Sequence, residues 1–205
     1  MSDIPVQDAT SASLIAWLIQ AGLAGKSERE LLDGFCERAS EAGLPLYRAN
    51  LIVDTLHPVY EGRVFRWERG DVETTVTEYG RSTEGAALES WRRSTFYHLL
   101  ERGLSQGRWR IPSDDSSRFP ILADLHEAGA TDYVCMVTRF AGAGIIGEID
   151  SVLSSWTTDR KDGFEPRQLA ILESLAPALA LSIKCASLGQ IAGTLVETYL
   201  GRDAG

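Results

Sequence analysis

The stretch from residue 44 to residue 69 constrains the fold most, because its side chains alternate along two runs separated by a turn. The second run, residues 63–69, sends Phe65 and Trp67 to one side and Arg66 and Glu68 to the other. Alternation with a period of two predicts strands with one buried face. We therefore expect a hairpin whose apolar face is covered by helices from the flanking segments. In the first run one face carries Tyr47, Ala49, Leu51, Val53 and Thr55, and the other carries Arg48, Asn50, Ile52 and Asp54.

A helix precedes this hairpin, and its start is marked by a capping box at Ser27 and Glu30. Apolar residues at spacings of three and four continue to Gly43, which is placed to end the helix. A shorter helix is predicted before it, beginning at Ser11 or Ser13. Residues 1–9 carry no pattern, and we expect them to be loose.

The rest of the chain alternates between strand-like and helix-like segments. The alternation predicts an α+β fold with a mainly antiparallel sheet. Asp132 to Phe140 is apolar on both faces at its centre, which favours an internal strand. The predicted elements are strands at 72–79, 107–111, 132–140 and 145–157, and helices at 84–103, 119–129 and from Pro166 to about Leu200.

Charge and cysteine content limit the classes of partner. The 205 residues include 29 acidic and 20 basic ones, a formal net charge of −9. This balance disfavours nucleic acid and anionic membranes, which need clustered Lys and Arg. No apolar run is expected to span a membrane, since spanning takes roughly 20 apolar residues. The odd number of cysteines, at Cys36, Cys135 and Cys185, predicts buried free thiols in a reducing cytoplasm.

The sequence carries no signature of catalysis. The run from Gly142 to Gly147 has the glycine spacing of a dinucleotide loop, but strand-like residues follow where a helix must begin. We interpret it as a hairpin turn. The histidines His57, His98 and His126 have no partner at metal-ligand spacing. We therefore predict no catalytic residue, no metal and no cofactor.

Aromatic side chains are the remaining candidates for a binding site. Most of the five tryptophans are expected in the core. The alternative is that some of them line a pocket between the sheet and a helix. His57 precedes Pro58 in a predicted turn, and it either contacts a ligand or forms a structural hydrogen bond. The candidate ligand-binding residues are His57, Trp67, Trp91, Tyr97 and Tyr133.

Four passages resemble the N-terminal region of bacterial class III adenylate/guanylate cyclases, a GAF-like sensory module ahead of the catalytic domain. They are GLPLYRANLIVDTLHPVYEGRVFRW (residues 43–67), FPILADLHEAGATDYV (119–134), WTTDRKDGF (156–164) and YLGRDAG (199–205). The resemblance implies a GAF/PAS-like antiparallel sheet flanked by helices, with a long C-terminal signalling helix. We expect a loose N-terminus over 1–9, a sensory domain over 10–186, and a helix and linker over 187–205 leading toward a catalytic domain.

The function that this resemblance implies is regulation of a nucleotide cyclase. Ligand binding or dimerisation in this chain would control synthesis of cyclic AMP or cyclic GMP by a downstream domain. The metal-binding aspartates of the family's catalytic part do not occur here, so the chain itself is expected not to be an enzyme. One alternative is a ligand-free dimerisation module. Another is a small GAF-type enzyme such as a sulfoxide reductase, against which the lack of clustered cysteines argues.

The last helix supplies the expected partner, a second copy of the chain. Its apolar spacing continues to Leu200, beyond the length that covering a sheet requires. Surplus apolar residues of this kind usually mark an interface, and we assign Leu188, Ile191 and Leu195 to it. Pro177 is expected to kink the helix and to direct its distal part toward the partner. The alternative is that the distal part folds back and completes a monomeric core.

Overall fold

The computed structural model describes residues 5–54, 62–79, 85–140 and 150–200. Helices and strands alternate as the sequence predicts, and the α+β class with an antiparallel sheet and a long last helix is confirmed. The elements are α1 Pro5–Leu23, α2 Glu28–Glu41, β1 Arg48–Asp54, β2 Gly62–Glu68, β3 Thr75–Tyr79, α3 Gly85–Arg92, α4 Thr95–Glu101, β4 Gln106–Arg110, a short 3-10 helix Asp114–Ser117, α5 Pro120–Glu127, β5 Asp132–Arg139, β6 Ser151–Thr158 and α6 Pro166–Leu200.

The described strands form one sheet in the order β3-β2-β1-β6-β5-β4, with every neighbouring pair antiparallel. β1 and β6 lie at its centre, where Leu51 is paired with Phe65 on one side and Ser154 on the other. β5 is internal, as its apolar centre predicts, and β4 forms the edge. The first and last parts of the chain therefore meet in the middle of the sheet.

Each face of the sheet has its own hydrophobic core. The long-helix face, covered by α1, α2 and α6, buries Ala49, Leu51, Val53, Phe65, Trp67 and Trp156 against helical residues such as Phe35 and Leu175. The short-helix face, covered by α3, α4 and α5, buries Tyr133, Cys135, Val137 and Leu153 with Phe96 and Leu122. Ala49, Leu51, Val53, Phe65 and Trp67 share the long-helix face, as the alternation predicts. Tyr47, predicted on that face, packs instead against the core of the short-helix face, because it precedes β1 and lies outside the regular alternation. Thr55 lies outside the described residues.

Two helix boundaries differ from the sequence-based ones. α1 begins at Pro5, so residues 5–9, expected to be loose, are helical. Proline suits the first turn of a helix, and the polar residues that follow it hide the helical period. The helix predicted over 84–103 is two helices, because the Ser94 side chain accepts a hydrogen bond from the Tyr97 amide at 3.0 Å and starts α4.

The capping box at the start of α2 is confirmed. The Ser27 side chain accepts from the Glu30 amide, and the Glu30 carboxylate accepts from the Ser27 amide at 2.9 Å. The Ser27 amide and the Ser27 hydroxyl both donate to the ionised carboxylate and lower the pKa of Glu30 to about 2. α2 then runs for 14 residues with Leu31, Leu32 and Phe35 fully buried.

A buried carboxylate joins the edge of the sheet to the segment that leads into α6. Asp132 is fully buried and accepts from Arg108 Nη2 at 2.7 Å, from Arg110 Nη1 at 3.3 Å and from the Phe164 amide at 2.9 Å. Gly163 has a φ of +65°, and a Cβ there would lie 1.9 Å from Arg110 Nη1. Glycine suits this position because other residues rarely adopt such a φ, and because a Cβ would displace the guanidinium.

The cysteines are only partly where the sequence places them. Cys36 and Cys135 are buried as expected, whereas Cys185 is exposed on α6. Burial raises the pKa of Cys135 to about 12 and that of Cys36 well above its usual range. These two thiols therefore stay protonated at neutral pH, and Cys185 is the accessible one.

α6 continues through Pro177 to Leu200. Its segment Pro166–Gly193 is long and apolar enough to cross a membrane by length and composition, which corrects the expectation that no run approaches a spanning helix. One such helix is weak evidence for a membrane span, because the core helix of a soluble protein can be equally long and apolar. In this helix 39% of the apolar 18-residue stretch is buried inside the protein. Leu172, Leu175 and Leu179 are among the residues that pack into the core of the long-helix face.

The different burial of two tryptophans predicts different losses of stability. Trp67 is 9% exposed in the core, so Trp67→Ala is expected to cost about 3–5 kcal/mol. Trp91 is half-buried and contacts Tyr97 edge-on at 6.2 Å between ring centroids. Because less packing is lost there, Trp91→Ala is expected to cost about 1 kcal/mol. Denaturant melts measure both values, and equal losses would contradict this assignment.

Candidate functional site

A cavity of about 560 Å³ lies between the short-helix face of the sheet and α3, α4 and α5. Small-molecule sites in proteins commonly have volumes of roughly 300–1,000 Å³ and combine apolar walls with a few polar groups. Strands β1, β2, β5 and β6 form the floor, and the three short helices form the walls. The lining residues are Asn50, Ile52, Val64, Arg66, Ala86, Glu89, Ser90, Arg93, Ser94, Thr95, Phe96, Pro120, Ile121, Asp124, Tyr133 and Ser155.

One part of the floor is a hydrogen-bonded chain across three strands. Arg66 Nε donates to Asn50 Oδ1 at 3.1 Å, and Asn50 Nδ2 donates to Ser155 Oγ at 3.1 Å. Ser155 is 1% exposed, so this hydroxyl lies at the bottom of the cavity. The chain fixes the orientation of the asparagine amide and leads from the buried floor to an arginine at the surface.

The other part of the floor is built around a buried phenol. The Thr95 hydroxyl lies 3.1 Å from Tyr133 OH and 3.2 Å from Cys135 Sγ. Burial is the main cause that raises the pKa of Tyr133 well above its usual range. The phenol is therefore neutral at physiological pH and is available as a hydrogen-bond donor or acceptor.

The mouth of the cavity carries charges of both signs. Arg66, Arg93, Glu89 and Asp124 are exposed there. Arg93 donates to the Ser117 carbonyl at 3.3 Å, and Glu89 pairs with Arg92 at 3.4 Å. The cavity thus offers hydroxyl and amide groups at its floor and charged groups at its rim.

This arrangement suits binding better than catalysis. The phenol and the nearby thiol are both held in their protonated forms, so neither supplies a nucleophile or a general base at neutral pH. In the part of the chain that the structure describes, no three His, Cys, Asp or Glu side chains form a group able to hold a metal ion. The polar floor can instead recognise a small molecule through directed hydrogen bonds.

The structure separates the residues assigned to a ligand site from sequence. Tyr133 lines the cavity. Trp67 lies on the opposite face, because its strand parity turns it into the core below α2 and α6, and its assignment to the pocket is corrected. Trp91 and Tyr97 contact one another on α3 and α4 without lining the cavity. His57 lies outside the described residues, as does the glycine run at 142–147.

Sequence reasoning missed the floor residues Asn50, Thr95 and Ser155. The available signal was a polar residue inside an otherwise buried strand. Ser154 and Ser155 are both buried in β6, and neither charge nor a loop position explains them. The alternation places Asn50 on the correct face of β1, but it does not identify the neighbouring strand that carries Ser155.

The predicted interface residues are also separated. Leu188 is 38% exposed, whereas Ile191 is half-buried because it lies one turn after the buried Ser187. The side chain of Leu195 is not among those described. The exposed stripe on α6 is instead made by Leu181, Cys185, Leu188, Ala192 and Val196.

No protein-family model matches the sequence, and no curated protein matches it significantly. The fold is nevertheless similar to solved structures. The GAF domain of a two-component sensor histidine kinase from Bacillus halodurans superposes with a TM-score of 0.53 and 11% identity, over 78% of this chain and 96% of that one. The phycoerythrobilin-bound GAF domain of a cyanobacterial phytochrome gives 0.50 and 11%, over 87% of this chain and 96% of that one. At this identity the likeness concerns the fold alone, and the chain has a GAF-like fold.

Proposed function

We propose that this chain is a sensory domain that binds a small polar molecule in the cavity and passes the state of that cavity to α6. The observation that carries the proposal is the buried hydrogen-bonding floor formed by Thr95, Tyr133, Asn50 and Ser155 at the bottom of an open cavity. Buried polar groups at the bottom of a cavity suit a ligand that brings matching donors and acceptors.

The similar structures support this proposal at the level of the fold. One is the GAF domain of a sensor kinase, and the other holds phycoerythrobilin. The sequence of this chain does not point to the same ligand, since Cys135 lies buried in β5 rather than on an exposed loop. We therefore assign a ligand that binds without a covalent bond to cysteine.

The controlled activity is proposed from the resemblance of the sequence to the N-terminal region of class III cyclases. The parent protein would make cyclic AMP or cyclic GMP in a downstream catalytic domain, and this chain would regulate it. Catalytic sites of that family form between two chains, so a sensor that brings two chains together would influence them directly.

A homodimer through α6 is part of the proposal. Leu181, Leu188 and Val196 are exposed by 57%, 38% and 36% and follow one another along one side of the helix. With Cys185 and Ala192 they repeat at spacings of four, three, four and four residues. Such spacing suits a helical seam, and the stripe extends over about 22 Å. An apolar stripe of this length supports self-association. We propose a parallel pair, in which each residue of the stripe faces its own copy.

A ligand-free dimerisation module is the second candidate function, favoured by the same exposed stripe. A thermal-shift screen against a library of small polar molecules separates the two functions. A ligand at 100 times its Kd stabilises the folded state by about 2.7 kcal/mol. At about 2–4 °C per kcal/mol for a chain of this size, the midpoint is expected to rise by several degrees.

Two neighbouring alanines provide a matched test of the binding site. Ala86 lines the cavity and Ala87 does not, although both are exposed on α3. Ala86→Trp is expected to abolish the shift that a hit produces, whereas Ala87→Trp retains it. A hit that survives Ala86→Trp binds elsewhere, and a screen of this kind without any hit favours the ligand-free module.

The chain alone is expected to be inactive as a cyclase. Without a pair of metal-binding carboxylates, the charge that develops on the transferred phosphate is not neutralised. Purified protein incubated with ATP and Mg²⁺ or Mn²⁺ should yield no cyclic AMP above a boiled control. Production that scales with protein concentration would contradict the assignment of this chain to regulation.

Charges placed in the stripe are expected to dissociate the dimer. Leu181→Glu combined with Leu188→Glu should convert a dimeric mass at micromolar concentration into a monomeric one in sedimentation or light scattering. Val72→Glu is the control, because Val72 is 99% exposed in a turn far along the chain from α6. A monomeric mass for the unmodified chain at high concentration rejects the dimer.

Cys185 offers an independent readout of the same interface. It lies in the stripe and is the exposed cysteine, while Cys36 and Cys135 are buried. In a parallel pair each Cys185 faces its own copy, so mild oxidation should give a disulfide-linked dimer that Cys185→Ser abolishes. Absence of this product from a dimeric sample would indicate an antiparallel or different contact.

A further inference from the structure

A second buried carboxylate connects β2, α2 and α6. Glu28 is the first residue of α2, and its side chain is 4% exposed. Glu28 Oε1 accepts from Arg63 Nη2 on β2 at 2.5 Å and from Ser187 Oγ on α6 at 2.8 Å. Arg63 Nη1 also donates to Gln190 Oε1 at 2.7 Å. One charged pair therefore contacts two successive turns of α6.

This contact lies at the point along α6 where burial ends. Ser187 is fully buried, and it is the last buried residue of the helix among the side chains that the structure describes. Beyond it, Leu188, Gln190, Ala192 and Val196 are exposed. The pair thus lies where α6 ceases to pack on the domain and where the exposed stripe continues.

Strand β2 reaches both the contact and the cavity. Side chains along a strand alternate between its faces. Arg63 lies on the same face as Phe65 and points to α6, whereas Val64 and Arg66 line the cavity on the opposite face. A displacement of β2 caused by filling the cavity would therefore move the guanidinium that contacts α6.

Stability alone does not account for charges at this place. Desolvation offsets much of the attraction in a buried ion pair, and apolar residues of similar size often stabilise a fold equally well. Directed hydrogen bonds differ from apolar packing because they hold one geometry. The Glu28–Arg63 pair gives α6 a defined position relative to β2 that an apolar contact would not.

We propose that the Glu28–Arg63 pair, through Ser187 and Gln190, transmits displacement of β2 by an occupied cavity to the distal part of α6. This inference rests on the proposed sensory function and specifies how the signal leaves the domain. The apolar core of the long-helix face holds the rest of the helix, while the pair controls the segment after Ser187.

The experiment uses the full chain and needs no identified ligand. Ala86→Trp places an indole in the cavity mouth and stands for an occupied site, with Ala87→Trp as its control. Both tryptophan variants are made in three backgrounds. The first, the unmodified network, keeps the Glu28–Arg63 pair, the second carries Glu28→Leu plus Arg63→Met, and the third carries Arg69→Met. Arg69 follows β2 and pairs with Asp159 rather than with α6, so its loss removes a charge without removing the proposed connection.

Hydrogen exchange of peptides covering 188–196 is the readout, with peptides from 172–183 as an internal reference. In the unmodified network we expect Ala86→Trp to change the distal exchange rate about threefold or more, and Ala87→Trp to leave it unchanged. The change should persist with Arg69→Met and vanish with Glu28→Leu plus Arg63→Met. A change of equal size in that double variant overturns the proposal, as does no change in the unmodified network.

Ser187→Ala provides a second, milder variant if the double replacement does not fold. It removes one hydrogen bond to Glu28 and leaves the ion pair, so the distal response should be reduced, and an unaltered response contradicts the proposal. Failure of the ligand screen would leave these results unaffected, because tryptophan replaces the ligand. Conversely, a ligand that binds without changing 188–196 would preserve the binding function and reject this route.

Discussion

The structure depends on one constraint, which is that both faces of the sheet must be covered by helices of very different length. The long-helix face is covered by helices of 19, 14 and 35 residues. The short-helix face receives helices of eight, seven and eight residues. Short helices have few apolar positions, and they leave part of β1, β2, β5 and β6 uncovered. The cavity is the space that this incomplete cover leaves, so the candidate site follows from the distribution of helices along the chain.

The incomplete cover by the short helices also explains the polar residues in the central strands. Ser155 and Asn50 lie on the short-helix face, at the part of the sheet where the short helices leave the cavity. On the opposite face the same strands carry Trp156, Leu51 and Ala49, which need complete burial. A sequence that placed apolar residues at both kinds of position would leave an apolar patch at the floor of the cavity. The observed pattern keeps the floor able to form hydrogen bonds.

The sequence predicted those features that depend on local order, and it failed where contacts join distant segments. The alternation in β1 and β2 and the capping box at Ser27 are periodic or local signals, and the structure has them as predicted. The alternation places Trp67 on the same side of the sheet as Phe65, but it does not tell which helices cover that side. The sequence alone therefore leaves Trp67 a candidate for the cavity. The partner of Asn50 is Ser155, 105 residues away. A local sequence pattern cannot reveal a contact across so many residues. The same is true of the contact between Glu28 and Ser187.

Two buried carboxylates bracket the part of α6 that packs on the domain. Asp132 accepts from the Phe164 amide just before the helix begins, and Glu28 accepts from Ser187 where burial ends. Between them the helix is held mainly by apolar side chains, which resist separation but tolerate small shifts better than hydrogen bonds do. A directed hydrogen bond thus lies at each end of the packed segment. Asp132 lies on β5, whose neighbour along the strand, Tyr133, lines the cavity, and Arg63 is adjacent to Val64 on β2. Both ends of the packed segment are thus connected to strands that form the cavity floor.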